Sequence, residues 1–120
     1  MAAFDRAAER AKRHQRIRRR IRGTSERPRL CVTKTLRHLY AQIVDDEVGR
    51  TLVQVSTLDP AIRADVSGPN VAAAKKLGSV LAEQAVSQGI EAVVFDRGGH
   101  PYHGVVSSFA EACRQGGLRF

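Results

Sequence analysis

The sequence predicts a mixed α/β domain. A four-stranded mixed sheet, with three antiparallel strands plus one parallel strand, carries two helices on one face and a basic N-terminal helical arm. Three observations lead to this fold class: alternating apolar and polar residues between positions 29 and 57, two later segments with apolar residues at helical spacing, and a cationic segment before them all. At 120 residues there is room for one domain. We therefore predict an arm over residues 1–28 and a single βββαβα domain over residues 29–120.

The first 29 residues carry the whole net charge of the chain. Up to Arg29 there are eleven Arg and Lys against three Asp and Glu, whereas the remaining residues contain nine of each sign. Residues 5–22 have only a thin apolar stripe, which favours a helix that frays alone and becomes ordered on its target. So dense a positive charge needs a polyanion such as nucleic acid; the alternative is a solvated, disordered tail. The cations expected to contact phosphate are Arg10, Lys12, Arg13, Arg16, Arg18, Arg19, Arg20 and Arg22.

Three strands follow the turn-rich connector. Apolar and polar residues alternate in residues 29–35, 39–45 and 51–57, and a period of two is the signature of a half-buried strand. Residues 46–50 contain a glycine and are typical of a hairpin turn. The pattern predicts antiparallel strands that share one apolar face and one largely polar face.

A helix follows an irregular segment over residues 58–68. Asn70 is a candidate N-cap, and apolar residues then recur at helical spacing as far as Val86. Gly89 followed by an isoleucine is typical of a helix C-terminus. The sequence therefore predicts one long amphipathic helix between these two signals.

A fourth strand and a second helix complete the domain. The continuous apolar run of residues 92–95 is typical of a strand covered on both faces. The sequence predicts a loop over residues 97–104 and an amphipathic helix over residues 105–115. Because a helical crossover favours a parallel neighbour, we expect the fourth strand to lie parallel to the first. Both helices would then cover the apolar face and leave the opposite face open.

The open face and the loop after strand four are further candidates for RNA contact. A flat polar surface with one aromatic ring can hold sugars, phosphates and unstacked bases, although an ordinary solvated face is the commoner explanation. Glycines in the loop allow the backbone to approach a phosphate or another backbone, or serve the turn alone. The candidates on the face are Thr33, Lys34, Thr35, Arg37, His38, Tyr40, Gln42 and Gln54; in the loop they are Arg97, Gly98, Gly99, Tyr102 and His103; beside the connector they are Arg27 and Arg29.

The sequence gives little support for a catalytic site or a metal-binding site. His100 and His103 could supply half of a metal site that Cys31 or Cys113 would complete, but the sequence does not place either cysteine near them. Cys31 and Cys113 are expected to be reduced thiols. The carboxylates of Asp45, Asp46 and Asp96 lie at strand ends, where turn or capping roles are the simpler explanation. No phosphate-cradling glycine motif occurs. We predict no catalytic residues, no metal, no cofactor and no small-molecule substrate.

Five segments resemble one family closely. They are ERPRL (26–30), RHLYAQIVDD (37–46), VVFDRGG (93–99), YHG (102–104) and GGLRF (116–120). Together they resemble the bacterial-type large-subunit ribosomal protein L-eighteen family, over the chain from about Arg13 onwards. The sequence departs from the family pattern at residues 33–35, at His100-Pro101 and at Val105, which affects individual contacts rather than the family.

The resemblance implies a structural, non-enzymatic function. A member would bind 5S rRNA, help attach it to 23S rRNA in the central protuberance, and contact neighbouring large-subunit ribosomal proteins. It would act in the cytoplasm within the ribosome, or in an organellar ribosome. No stretch of about 18 apolar residues occurs, so no membrane partner is expected.

Two rival hypotheses come from other classes of protein. A metal-dependent nuclease would use the strand-end carboxylates with Mg²⁺. A sequence-neutral DNA-compacting protein would show no preference for folded RNA over duplex DNA.

Overall fold

The computed structural model describes residues 6–18 and 22–120. No helix in this described part is both long and apolar enough to cross a membrane. The elements in chain order are α1 (Arg6–Arg18), β1 (Arg29–Lys34), β2 (Leu39–Asp45), β3 (Arg50–Ser56), α2 (Pro60–Arg63), α3 (Val71–Ser87), β4 (Val94–Asp96) and α4 (Val105–Gln115).

The four strands form one sheet in the order β3-β2-β1-β4. β1 pairs antiparallel with β2, and β2 pairs antiparallel with β3. β4 pairs parallel with β1, with Leu30 opposite Phe95. The predicted fold class is confirmed, including the parallel strand. β4 is parallel to β1 because the chain between β3 and β4 runs through a long helix that returns it to the same end of the sheet.

The core lies between the apolar face of the sheet and the two long helices. Leu30 and Ile43 from the strands are fully buried there, as are Leu77 of α3 and Phe109 of α4. Burying a side chain of this size contributes roughly 1.5–3 kcal/mol. The alternation in the strand sequences therefore predicted the correct inward face.

The ends of α3 follow the local sequence signals. Asn70 accepts a hydrogen bond from the backbone N–H of Ala73 through its side-chain oxygen, at 2.9 Å. Gly89 follows the helix with a φ of 81°, a conformation that glycine adopts without strain. Both predicted boundary residues are confirmed.

Three details differ from the sequence-based prediction. The segment predicted to be irregular contains α2, which starts at an Asp-Pro step and is anchored by Ile62, 1% exposed. The register of β2 and β3 shifts between Ile43 and Val44. β4 is short, and Ala92 before it bridges to Arg119 near the C-terminus. Each depends on packing between distant segments, which a local pattern does not report.

A close approach between α3 and α4 supplies a test of the core. A Cβ atom on Gly78 would lie 2.7 Å from the carbonyl oxygen of Phe109 and 2.8 Å from the Cβ of Ala112. We expect Gly78→Ala to lower the free energy of unfolding by about 1–3 kcal/mol, despite the better helix propensity of alanine. Urea denaturation measures the change, and Ser79→Ala at the exposed neighbouring position is the control. Equal stability of Gly78→Ala and the wild type would contradict this packing.

Candidate nucleic-acid interface

Helix α1 is docked on the domain. Gly99, in the loop after β4, lies against the backbone of α1. A Cβ atom on Gly99 would be 2.5 Å from the carbonyl oxygen of Arg10. The Nε–H of Arg13 donates to the carbonyl oxygen of Gly99 at 3.1 Å. The sequence indicated no partner for this helix within the domain; in the structure α1 packs on the loop that follows β4.

A buried carboxylate joins α1 to the sheet. Asp96, at the end of β4, is fully buried. Its Oδ2 accepts hydrogen bonds from Nε2 of His14 at 2.8 Å and from Nη1 of Arg29 at 3.0 Å. Its Oδ1 accepts from the backbone N–H of Gly98 at 2.9 Å. The expectation that Asp96 binds a nearby amide is met, but its ion-pair partner is Arg29 rather than Arg97.

Arg29 extends this network to the turn after β2. Its Nε and Nη2 donate to the two carboxylate oxygens of Asp46, at 3.0 and 3.3 Å. Asp46 also accepts from the backbone N–H of Gly23 at 2.7 Å. Burial lowers the pKa of Arg29, but the hydrogen bond to Asp46 and the charges of nearby acidic groups outweigh it, so the pKa is raised. We call Asp96, His14, Arg29 and Asp46 the Asp96 cluster.

The Asp96 cluster changes the interpretation of two residues. Arg29 is only 8% exposed, so its guanidinium acts inside the protein, in contrast to the RNA contact expected from the sequence. His14 was not identified from the sequence at all. It is one histidine among many arginines, and nothing local indicates that its partner lies 82 residues away.

The same region gathers three side chains that are able to ligate a metal. Atoms of His14, Cys31 and Asp96 lie within 4.8 Å of one another, the one such group among the described residues. The guanidinium of Arg29 already occupies the carboxylate oxygen and opposes a further cation. Burial, followed by the charge of Asp96, raises the pKa of the Cys31 thiol, which favours its neutral form. We interpret the group as part of a structural hydrogen-bond network and not as a metal site.

The other two candidate metal ligands differ in environment, and the candidate nuclease carboxylates all accept hydrogen bonds within the protein. His103 is exposed, whereas His100 is buried and accepts a hydrogen bond from the backbone N–H of Lys34 at 3.2 Å. Asp45 accepts from the backbone N–H of Glu47. The carboxylates of Asp46 and Asp96 belong to the Asp96 cluster. This arrangement gives the nuclease hypothesis no support.

Most of the described cationic side chains of α1 and of the segments next to it are exposed to solvent. Arg10 is half-buried against the loop, and Arg13 is exposed while it holds Gly99. The side chain of Arg18 lies outside what the structure describes, as do residues Arg19 and Arg20. The exposed cations described on α1, the connector, β1 and the next turn are Arg6, Lys12, Arg13, Arg16, Arg22, Arg27, Lys34 and Arg37.

The polar sheet face forms as the alternation predicted. Thr33 and Gln54 are exposed, and Tyr40 and Gln42 are half-buried. These four side chains line a shallow depression of about 200 Å³. Only part of the face is open, because Cys31 beside α1 is 5% exposed. The Nδ1 of His38 lies 3.1 Å from Oγ1 of Thr57 at the edge of this face.

The loop after β4 serves mainly to seat α1. Gly98 and Gly99 have φ values of 64° and 79°, and the chain approaches another backbone closely at both. Gly99 is buried, so the close partner that the sequence left open is protein and not phosphate. Arg97 remains exposed. The hydroxyl of Tyr102 accepts from Nη1 of Arg114 at 2.9 Å.

Comparison with known proteins points to one family. The family described as "Ribosomal L18 of archaea, bacteria, mitoch. and chloroplast" matches residues 4–120. The large ribosomal subunit protein uL18 of Heliobacterium modesticaldum is 55% identical over 118 residues, which cover 98% of this chain and 97% of the relative. The protein of the same name from Moorella thermoacetica is 52% identical over 116 residues, 97% and 96% of the two chains. The uL18 of Thermotoga petrophila is 50% identical over 113 residues, 93% of each.

The docking of α1 is tested by adding one methyl group beneath it. We expect Gly99→Ala to displace α1 and to raise the exchange rate of its amide hydrogens roughly tenfold or more, because the new Cβ meets the backbone of Arg10. Hydrogen exchange measured by mass spectrometry gives the rate. The control is Gly49→Ala, which has a similar φ of 65° but open space around the added atom. Wild-type exchange in α1 of the Gly99 variant would contradict the docking.

His100 makes stability depend on pH. Burial, followed by the positive charges of Arg10, Lys34, His14 and Arg13, lowers its pKa from 6.5 to about 4. The unfolded chain therefore holds this proton more tightly than the folded chain, and stability present above pH 6.5 is lost as the pH falls towards 4. We expect the urea midpoint of the wild type to fall more steeply over this range than that of His100→Gln. Parallel profiles of the two proteins would contradict this assignment.

Proposed function

Because the chain belongs to the ribosomal protein L18 family, we propose that it binds 5S rRNA and helps to attach it to 23S rRNA in the central protuberance. Membership makes it a structural constituent of the large ribosomal subunit, an RNA-binding protein of translation in the cytoplasmic ribosome, and not an enzyme. Its partners are rRNA and other ribosomal proteins. The identity of the two RNAs and the place in the subunit are the proposal.

The observation that supports this proposal best is the docked, cationic helix α1. Arg6, Lys12 and Arg16 are exposed along it, while His14 and Gly99 hold it to the domain. Arginine is suited to this surface because its planar guanidinium donates to phosphate at two points and stacks on bases. A helix already in place loses less conformational freedom on binding than a disordered tail does.

The polar sheet face lies on the same side of the sheet as α1. Cys31, which α1 approaches, also lines the depression formed by Thr33, Tyr40 and Gln42. The cations would supply affinity through phosphates, whereas the flat face would fit the sugar and base edges of one RNA shape. The protein would thus act as a clamp on folded 5S rRNA, and its charge would screen phosphates where two rRNA molecules meet.

Removing charge from α1 while keeping the helix tests the proposal. We expect the triple variant Arg6→Gln, Lys12→Gln, Arg16→Gln to weaken binding to 5S rRNA. If each cation contacts one phosphate, the slope of log affinity against log salt should become shallower by roughly 2–3. Fluorescence anisotropy at several salt concentrations measures both quantities.

A matched control separates this surface from net charge. Lys75→Gln, Lys76→Gln and Arg119→Gln remove the same charge from exposed positions elsewhere on the domain, and should leave the slope nearly unchanged. Duplex DNA serves as a competitor at the same salt, because recognition by shape should favour the RNA. Equal slopes for the two triple variants, or equal affinity for duplex DNA and 5S rRNA, would overturn the proposal.

A further inference from the structure

A cationic cleft lies between α1 and the turn that joins β1 to β2. It is an open groove with a volume of about 890 Å³. Arg6 and Arg10 line one wall, and Lys34 and Arg37 line the other. No carboxylate occurs among the described residues that line it. Such a cleft attracts an anion from both sides at once.

The walls of the cleft are fixed by internal contacts. On one side, the backbone of Arg10 packs on Gly99. On the other, the turn is closed by a hydrogen bond from the backbone N–H of Thr35 to the carbonyl oxygen of His38, at 2.9 Å. His100 joins the two sides, because its ring accepts from the backbone of Lys34 while it lies beside α1. These contacts hold the two described walls of the cleft in place without a ligand.

One apolar side chain stands at the rim of this cationic cleft. Leu36, at the tip of the turn, is 98% exposed and lines the cleft next to Arg37. A single exposed leucine is ordinary on a protein surface. Here, however, the cations on both sides indicate the chemistry of what would cover it. An apolar side chain that accompanies phosphate-binding cations is suited to pack on the face of a base.

We propose that this cleft binds an unpaired segment of RNA, a loop or a bulge. The four cations hold successive phosphates, and Leu36 packs on the face of an unstacked base. A continuous A-form duplex hides its base faces in the stack, so only an irregular segment offers both groups together. This inference rests on the proposed function and names the kind of RNA structure that the cleft recognises.

The first experiment compares two RNAs and two exposed apolar residues. We expect Leu36→Ala to weaken binding to 5S rRNA about tenfold, the effect of losing roughly half of a leucine's burial, with no change in the salt slope. Binding to a perfect RNA duplex of equal length should not change. Val48→Ala is the control, because Val48 is 71% exposed at the tip of the other hairpin turn. Equal affinities of the Leu36 variant and the wild type for 5S rRNA would overturn the proposal.

The second experiment locates the RNA segment. An iron chelate attached to a Leu36→Cys variant cleaves nucleotides near the cleft, and we expect cleavage at unpaired nucleotides of 5S rRNA. In parallel, Lys34→Gln with Arg37→Gln should make the salt slope shallower by roughly 1.4–1.8. Cleavage confined to continuous duplex, or a salt slope of the Lys34/Arg37 variant equal to that of the wild type, would overturn the proposal.

The failure of this inference is distinguishable from the failure of the proposed function. A wild-type protein that does not prefer 5S rRNA overturns the proposed function. A wild-type protein that does prefer it, while the Leu36 and Lys34/Arg37 variants bind equally well, overturns only the role of the cleft.

Discussion

The buried ion pair between Asp96 and Arg29, completed by His14, holds α1, the sheet and the loop after β4 together. Removing a carboxylate and a guanidinium from water is costly, and the cost is offset only when both are paired and fully hydrogen-bonded. Here Asp96 receives three hydrogen bonds and Arg29 bridges two carboxylates. Replacing one member would leave a buried charge without its partner, so α1, the connector, two strand ends and the loop after β4 are stabilised together.

This cluster makes α1 part of the folded domain. A free tail with the same cations would lose much conformational entropy on binding RNA, whereas a docked helix has already lost it on folding. The charges that face the solvent are thereby held at fixed positions relative to the sheet. This geometry agrees with the proposed recognition of one RNA shape, rather than with general attraction to phosphate.

The residues that carry the family resemblance have an internal function in this chain. Within the segment VVFDRGG, Asp96 anchors His14 and Arg29, and Gly99 gives α1 room to approach. Arg97 alone among the last four of these residues is exposed. The motif therefore forms the surface on which α1 docks, and the contacts with RNA that we propose are made by the helix, the sheet face and the cleft.

Local sequence patterns were enough to predict the strands, the two long helices, the parallel fourth strand and the concentration of charge at one end. These features follow from local periodicity, end signals such as Asn70 and Gly89, and the rules for connecting strands. The docking of α1, the burial of Arg29, the hydrogen bond between His14 and Asp96 and the place of Leu36 beside a cationic cleft emerged from the folded chain. Each of these depends on residues from separate parts of the chain, such as positions 14, 29, 46 and 96, whose proximity no local pattern encodes.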